Sequence, residues 1–136
     1  LLDAQVEFAV PDVLVYINNN HMEVINLKDG TTAIGVMPFT THRLLVGELA
    51  VAAELLRKLL KEVKAGGLLA KPVRMLIQPL ALVEGGLSSV EERVLLELGA
   101  AARARDVRIV LGGRIRREEA LIMLEHRANR RLSAAR

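Results

Sequence analysis

The sequence predicts an α/β fold, with a mixed sheet that opens as an antiparallel meander and continues through parallel β-α-β-α-β crossovers. Three observations carry that expectation. Short β-branched runs separated by Asn18-Asn19-Asn20 and Asp29-Gly30 fill the chain up to Pro38. From Thr41 the apolar period lengthens to that of a helix. After that, strand and helix patterns alternate to the C-terminus.

Gln5–Val10 alternates weakly and stops at Pro11, and Val13–Ile17 is an apolar, β-branched run, so both read as strands. The Asn triplet tolerates left-handed backbone angles and turns the chain into a further strand, Met22–Leu27. Asp29-Gly30 is a strong two-residue hairpin signal, and Thr31–Val36 returns from it.

Leu45, Leu49, Ala52, Leu56, Leu59 and Val63 then repeat at helical spacing, which predicts a helix from Thr41 to Gly66-Gly67. A second row at Val46, Ala53 and Leu60 widens its stripe for packing flat on a sheet. Glu54 precedes Lys58 by four residues, the favourable order for an ion pair on the outer face. Val73–Leu80 is a buried strand with Pro79 at its exit. Ser88 or Ser89, with Glu91 or Glu92 three residues on, forms a capping box for a helix running to about Arg105. Asp106–Leu111 is a last strand, Gly112-Gly113 turns the chain, and Arg116 to about Leu132 forms a helix with Leu121, Leu124, Ala128 and Leu132 on one face.

With 136 residues, 51% hydrophobic and 26% charged, the composition is that of one globular domain, residues 1–136. No stretch approaches the ~18 apolar residues of a membrane helix. Without cysteine there is neither a disulfide nor a thiolate metal site. No basic-apolar leader opens the sequence, so a cytoplasmic location is expected. Phe8, Phe39 and Tyr16 are the only aromatic rings, too few for a base-stacking platform. The formal charge of +3 is uneven: residues 101–136 hold ten arginines against four acids.

Val90-Glu91-Glu92-Arg93, Glu97, Ala102, Ala104-Arg105 and Val107 follow, without a gap, a V-E-x-R, E, A-x-A-R-x-V pattern. This stretch resembles the second helix and following strand of the bacterial actin-like MreB family. Lys71-Pro72-Val73 to Pro79, Val51–Val63 and Leu14-Val15-Tyr16-Ile17 are similar to its neighbouring strand, its preceding helix and its second strand. The resemblance covers about 100 residues and implies an actin-like, ribonuclease-H-like half-fold without a second lobe.

The same alignment sets Glu7-Phe8-Ala9-Val10-Pro11-Asp12 where that family has its D-L-G-T-A-N phosphate loop. Glu7, Ala9, Val10 and Asp12 are thus degenerate phosphate-loop positions. The glycine that lets backbone N–H groups approach phosphate is gone. Gly112-Gly113-Arg114 replaces an E-E-P associated with water activation. The resemblance therefore implies a module without nucleotide, metal or other cofactor, and not an ATPase.

No other constellation of reactive residues forms. Glu7, Glu48 and Asp106 fix no metal-binding triad, and His21, His42 and His126 are scattered through a turn, a helix start and a polar helix face. Gly85-Gly86 and Gly112-Gly113 each precede a helix and could present donors to an anion. Arg114, Arg116, Arg117, Arg127, Arg130 and Arg131 are candidate contacts for an anion or an acidic partner. The functional expectation is a non-catalytic actin-like module acting through a protein partner or self-association, linked by resemblance to cell shape. The association surface would be the last helix or the edge of the meander. The alternatives are a ribonuclease-H-like nucleic-acid-binding domain using the arginines, and a piece of a larger actin-like ATPase.

Overall fold

The computed structural model describes residues 12–67 and 70–134, with side chains described as far as residue 125. The expected strand at Gln5–Val10 lies outside the described residues, as do Glu7, Ala9 and Val10. In chain order the elements are β1 (Asp12–Asn18), β2 (His21–Asn26), β3 (Thr32–Val36), α1 (Leu49–Glu62), β4 (Arg74–Pro79), α2 (Ser89–Ala101), β5 (Asp106–Ile109) and α3 (Arg117–Ala134).

β1 is central because nothing polar interrupts Val13, Leu14, Val15, Tyr16 and Ile17, and all five are buried. The sheet order is β3-β2-β1-β4-β5. β1 runs antiparallel to β2, with Leu14 opposite Ile25, and parallel to β4, with Leu14 opposite Leu76. β3 is antiparallel to β2 and β5 parallel to β4. This is the mixed α/β layout that the sequence predicts. The likeness to a second strand, however, falls on the middle strand of the described sheet.

Alternation along β1 splits the core into two layers. Val13, Val15 and Ile17 meet α1 and α2 through Leu56, Leu59, Leu95 and Leu98, whereas Leu14 and Tyr16 meet α3 through Ala120 and Leu124. Among the described residues the buried polar side chains Asn26 and Gln78 both find partners. Asn26 donates to Val63 O at 2.9 Å and accepts from Lys28 N at 3.0 Å. Gln78 donates to Gly113 O at 2.8 Å and accepts from Ile115 N at 2.9 Å.

Two helix boundaries and one helix face differ clearly from expectation. The first helix begins at Leu49, not Thr41, because residues before it fold into a hydrogen-bonded loop. Thr41 Oγ1 accepts from Leu44 N at 3.2 Å, and Phe39 O accepts from both Gly47 N and Glu48 N at 2.9 Å. Leu45 and Val46 are still buried, so their apolar period reflects loop packing. Gly47 is needed there, since a Cβ would lie 2.0 Å from Thr41 Oγ1.

The second helix ends at Ala101, where Arg103 turns left-handed at φ 65° and Ala104 N bonds back to Gly99 O at 2.9 Å. The chain must reverse early because Gly99 packs on Val107 of β5: a Cβ would lie 2.4 Å from Val107 Cγ2. In the last helix Leu124 is buried as expected, but Leu121 is 39% exposed and Ala120 takes the inward place one turn before Leu124; the side chains of Ala128 and Leu132 lie outside the described residues. The capping box forms as expected, with Ser88 N donating to Glu91 Oε1 and Glu91 N donating to Ser88 Oγ.

Candidate functional site

Open α/β sheets bind ligands beyond the carboxyl ends of their strands, where the chain order switches sides. Here that place lies between β1 and β4, at the Asn18–Asn20 turn and Leu80. The turn is closed on itself. Asn19 N donates to Asn18 Oδ1 at 2.8 Å and Asn20 N to Thr40 Oγ1 at 2.9 Å. Thr40 N donates to Asn20 Oδ1 at 2.8 Å, and Thr40 Oγ1 donates to Leu45 O at 2.7 Å. The backbone donors of Asn19 and Asn20 that could meet a phosphate are already used inside the protein. Sequence reasoning missed Thr40, whose signal was a hydroxyl just after Pro38 and Phe39.

Asp12 lies at the other end of β1. Its two carboxylate oxygens receive Arg74 Nε at 2.7 Å and Arg74 Nη2 at 2.8 Å, a bidentate pair that ties the starts of β1 and β4. Hydrogen bonding to Asp12 holds the Arg74 guanidinium above its usual pKa. Asp106 opens β5 opposite Arg74. Glu48 follows the loop from Val36, which lies across from His21 at the far end of the sheet. Glu48 and Asp106 are therefore at opposite ends of the sheet and share no site. Among the described residues no three His, Asp or Glu side chains cluster to hold a metal ion. His21 opens β2, and His42 lies in the loop rather than at a helix start.

Both glycine pairs lose their expected anion role for the same reason. The helix start after Gly85-Gly86 is taken by the Ser88–Glu91 box, and Arg116 N before the last helix donates to Glu119 Oε1 at 3.2 Å. Gly112 and Gly113 present their carbonyl oxygens, not their N–H groups, to the interior, where both accept from Gln78 Nε2.

Three of the candidate arginines have partners within the chain. Arg117 donates to Leu27 O at 3.1 and 2.9 Å and to Lys28 O at 3.0 Å, clamping α3 to the β2–β3 turn. Arg114 pairs with Glu23 at 2.8 Å and lies over the Tyr16 ring, 3.8 Å from its centre. Arg116 pairs with Glu119 at 3.3 Å on an exposed turn. These contacts position α3. The side chains of Arg127, Arg130 and Arg131 lie outside the described residues, as does that of His126.

The buried Tyr16 hydroxyl donates to Ile115 O, and burial is the largest cause of its raised pKa. Arg114 is held above its usual value first by its hydrogen bond to Glu23.

Among the described residues, a surface with open hydrogen-bonding capacity remains at β3, the last strand on its side of the sheet. Asn26 N donates to Thr31 O at 2.8 Å and Met37 N to Asn20 O at 3.0 Å. Because bonded residues alternate along an antiparallel ladder, Ala33 and Gly35 also face β2, while Thr32, Ile34 and Val36 turn their N–H and C=O groups outward. Ile34 is 59% and Val36 68% exposed. No Lys, Glu or Pro guards the strand, the devices that usually blunt a sheet edge.

No known protein-family profile matches the chain. The structure is similar to the ethanolamine utilization protein EutJ from Carboxydothermus hydrogenoformans, with a TM-score of 0.54 and 13% identity over 76% of this chain. That likeness defines the class: the fold is actin-like, and the chain spans 37% of the EutJ chain. In sequence it is 32% identical over 93 residues to the uncharacterized protein YjaA of Escherichia coli (strain K12), covering 65% of this chain and 73% of YjaA. The chain belongs to the YjaA family. No described helix is long and apolar enough to cross a membrane.

Proposed function

We propose that this chain is a non-catalytic actin-like module that works through protein contacts, and that its contact surface is the outer edge of β3. The open edge with exposed Ile34 and Val36 is the observation that carries this reading. The partner it fits is a second copy of the same strand. In a two-fold antiparallel pairing Ile34 opposes Ile34 and Thr32 opposes Val36, neutral β-branched pairs that make a favourable cross-strand combination, while Ala33 opposes Gly35 on the other face. The outward groups of three residues on each strand would then close six backbone hydrogen bonds.

Two observations support the non-catalytic part: the Asn18–Asn20 turn spends its donors on Thr40 and Asn18, and Asp12 is committed to Arg74. The MreB-like stretch, from α2 into β5, lies away from the open edge, and the resemblance it carries is what supports a role in filament or cell-shape assemblies.

Sedimentation of the chain over a concentration series is the test. Association that Ile34→Lys abolishes supports the reading, and a monomer at every concentration overturns the β3 surface. Stoichiometric calorimetric binding of magnesium ATP would overturn the non-catalytic part.

A further inference from the structure

α1 lies over β2 and β3, and it sits low on the edge strand because Gly35 has no side chain: a Cβ there would lie 2.6 Å from Leu55 Cδ1 and 3.3 Å from Leu59 Cδ2. Val51, Leu55, Lys58 and Glu62 recur at four- and three-residue spacing and so share one flank of the helix. Leu55 meets β3, whereas Arg57 leans the other way and donates to Ala101 O on α2 at 3.1 Å. The flank with Lys58 is therefore the one that overhangs the open edge. Lys58 and Glu62 are exposed there, and Val51 is half-buried. Among the described residues Glu54, Lys58 and Glu62 make no ion pair, so the Glu54–Lys58 pair expected from the spacing is not formed.

A stable dimer buries about 1,200–2,000 Å² in all, and three paired residues on each strand supply only a small part of that. The edge pairing brings more surface together. Neighbouring strands lie about 4.8 Å apart. Resting over the two outer strands, α1 has its axis about half that spacing inside β3, and the two-fold axis of the pairing runs half a spacing outside it. The two copies of α1 then run antiparallel about 10 Å apart, a distance at which helices pack directly. Gly35 lies beneath Leu55 and Leu59, and Ile34 is its neighbour on the strand, so the two-fold axis passes close to Lys58.

We infer that the outer flank of α1 is the second half of the contact: Val51, Leu55, Lys58 and Glu62 of two copies meet across the two-fold axis, and each Lys58 reaches toward Glu54 and Glu62 of the other copy. The inference rests on the β3 pairing proposed above and deepens it by naming what selects the partner. Any extended strand could satisfy the backbone groups of the edge. A second copy of this chain alone brings the matching helix.

The chain has no cysteine, so Lys58→Cys introduces a single thiol. The experiment treats the full chain carrying Lys58→Cys with a short bismaleimide, alongside Glu92→Cys, whose thiol sits at an exposed position on α2, and the Lys58→Cys/Ile34→Lys double variant. Sedimentation of the same variants reports association. Expected is a cross-linked dimer in Lys58→Cys, with at least tenfold less in Glu92→Cys and in the double variant. If Ile34→Lys abolishes association but Lys58→Cys cross-links no better than Glu92→Cys, the α1 contact is overturned while the β3 pairing stands. Cross-linking of Lys58→Cys that survives Ile34→Lys also overturns it, since the two halves would not belong to one interface. A monomer at every concentration overturns both.

Discussion

The guanidinium carbon of Arg114 lies 3.8 Å from the centre of the Tyr16 ring while its Nη2 reaches Glu23 at 2.8 Å, so one side chain joins the central strand, its neighbour and the start of α3. Both contacts are partly solvated, with Arg114 53% exposed, and solvated ion pairs contribute little. Arg114→Ala should therefore lower stability by only about 1 kcal/mol, combining a modest cation–π term with a weak ion pair. Urea denaturation of Arg114→Ala, Glu23→Gln and the double variant checks it. A double variant as destabilised as the sum of the singles would contradict the coupling.

Tyr16→Phe removes the donor that meets the buried Ile115 carbonyl, and should cost about 1–3 kcal/mol. The pH dependence has a definite sign. Burial raises the folded-state pKa above the usual 10.0, so the folded state holds this proton more tightly than the unfolded chain. The associated stability is fully present below pH 10 and is lost as pH rises through the folded value. The Tyr16→Phe chain should lack that alkaline decline. Denaturation midpoints from neutral to alkaline pH for both chains make the comparison, and parallel declines would contradict it.

Gly99 touches Val107 so closely that Gly99→Ala must overpack α2 against β5, at a cost of about 1–3 kcal/mol. Combining it with Val107→Ala should recover part of the loss, because the clashing methyls are removed. Thermal unfolding of the single and double variants provides the measurement. Additive losses would show that the two sites do not share this contact.

The order of elements along the chain was legible because its cues are local: the unbroken Val13–Ile17 run, the Asn and Asp-Gly turns, and Pro79 at the end of β4. The helix start was not, because Leu45 and Val46 share the apolar spacing of α1 while their backbone is held in a loop by Thr41 and Phe39. Nor could spacing show that Arg114 and Arg117 fold back on Glu23, Leu27 and Lys28, contacts that cross about ninety residues of sequence. A row of arginines reads the same whether it faces a partner or clamps a helix. The open edge was half legible. The meander was visible, but which of its strands ends the sheet depends on β4 pairing with β1.

The most direct test of a β3 contact surface is amide hydrogen exchange at Thr32, Ile34 and Val36 measured in dilute and concentrated solution. If two copies pair along this edge, these three amides are slowed as concentration rises, while Ala33 and Gly35, already bonded to β2, change little. Ile34→Lys should remove the slowing. Exchange at Thr32, Ile34 and Val36 that is fast and independent of concentration would contradict the account.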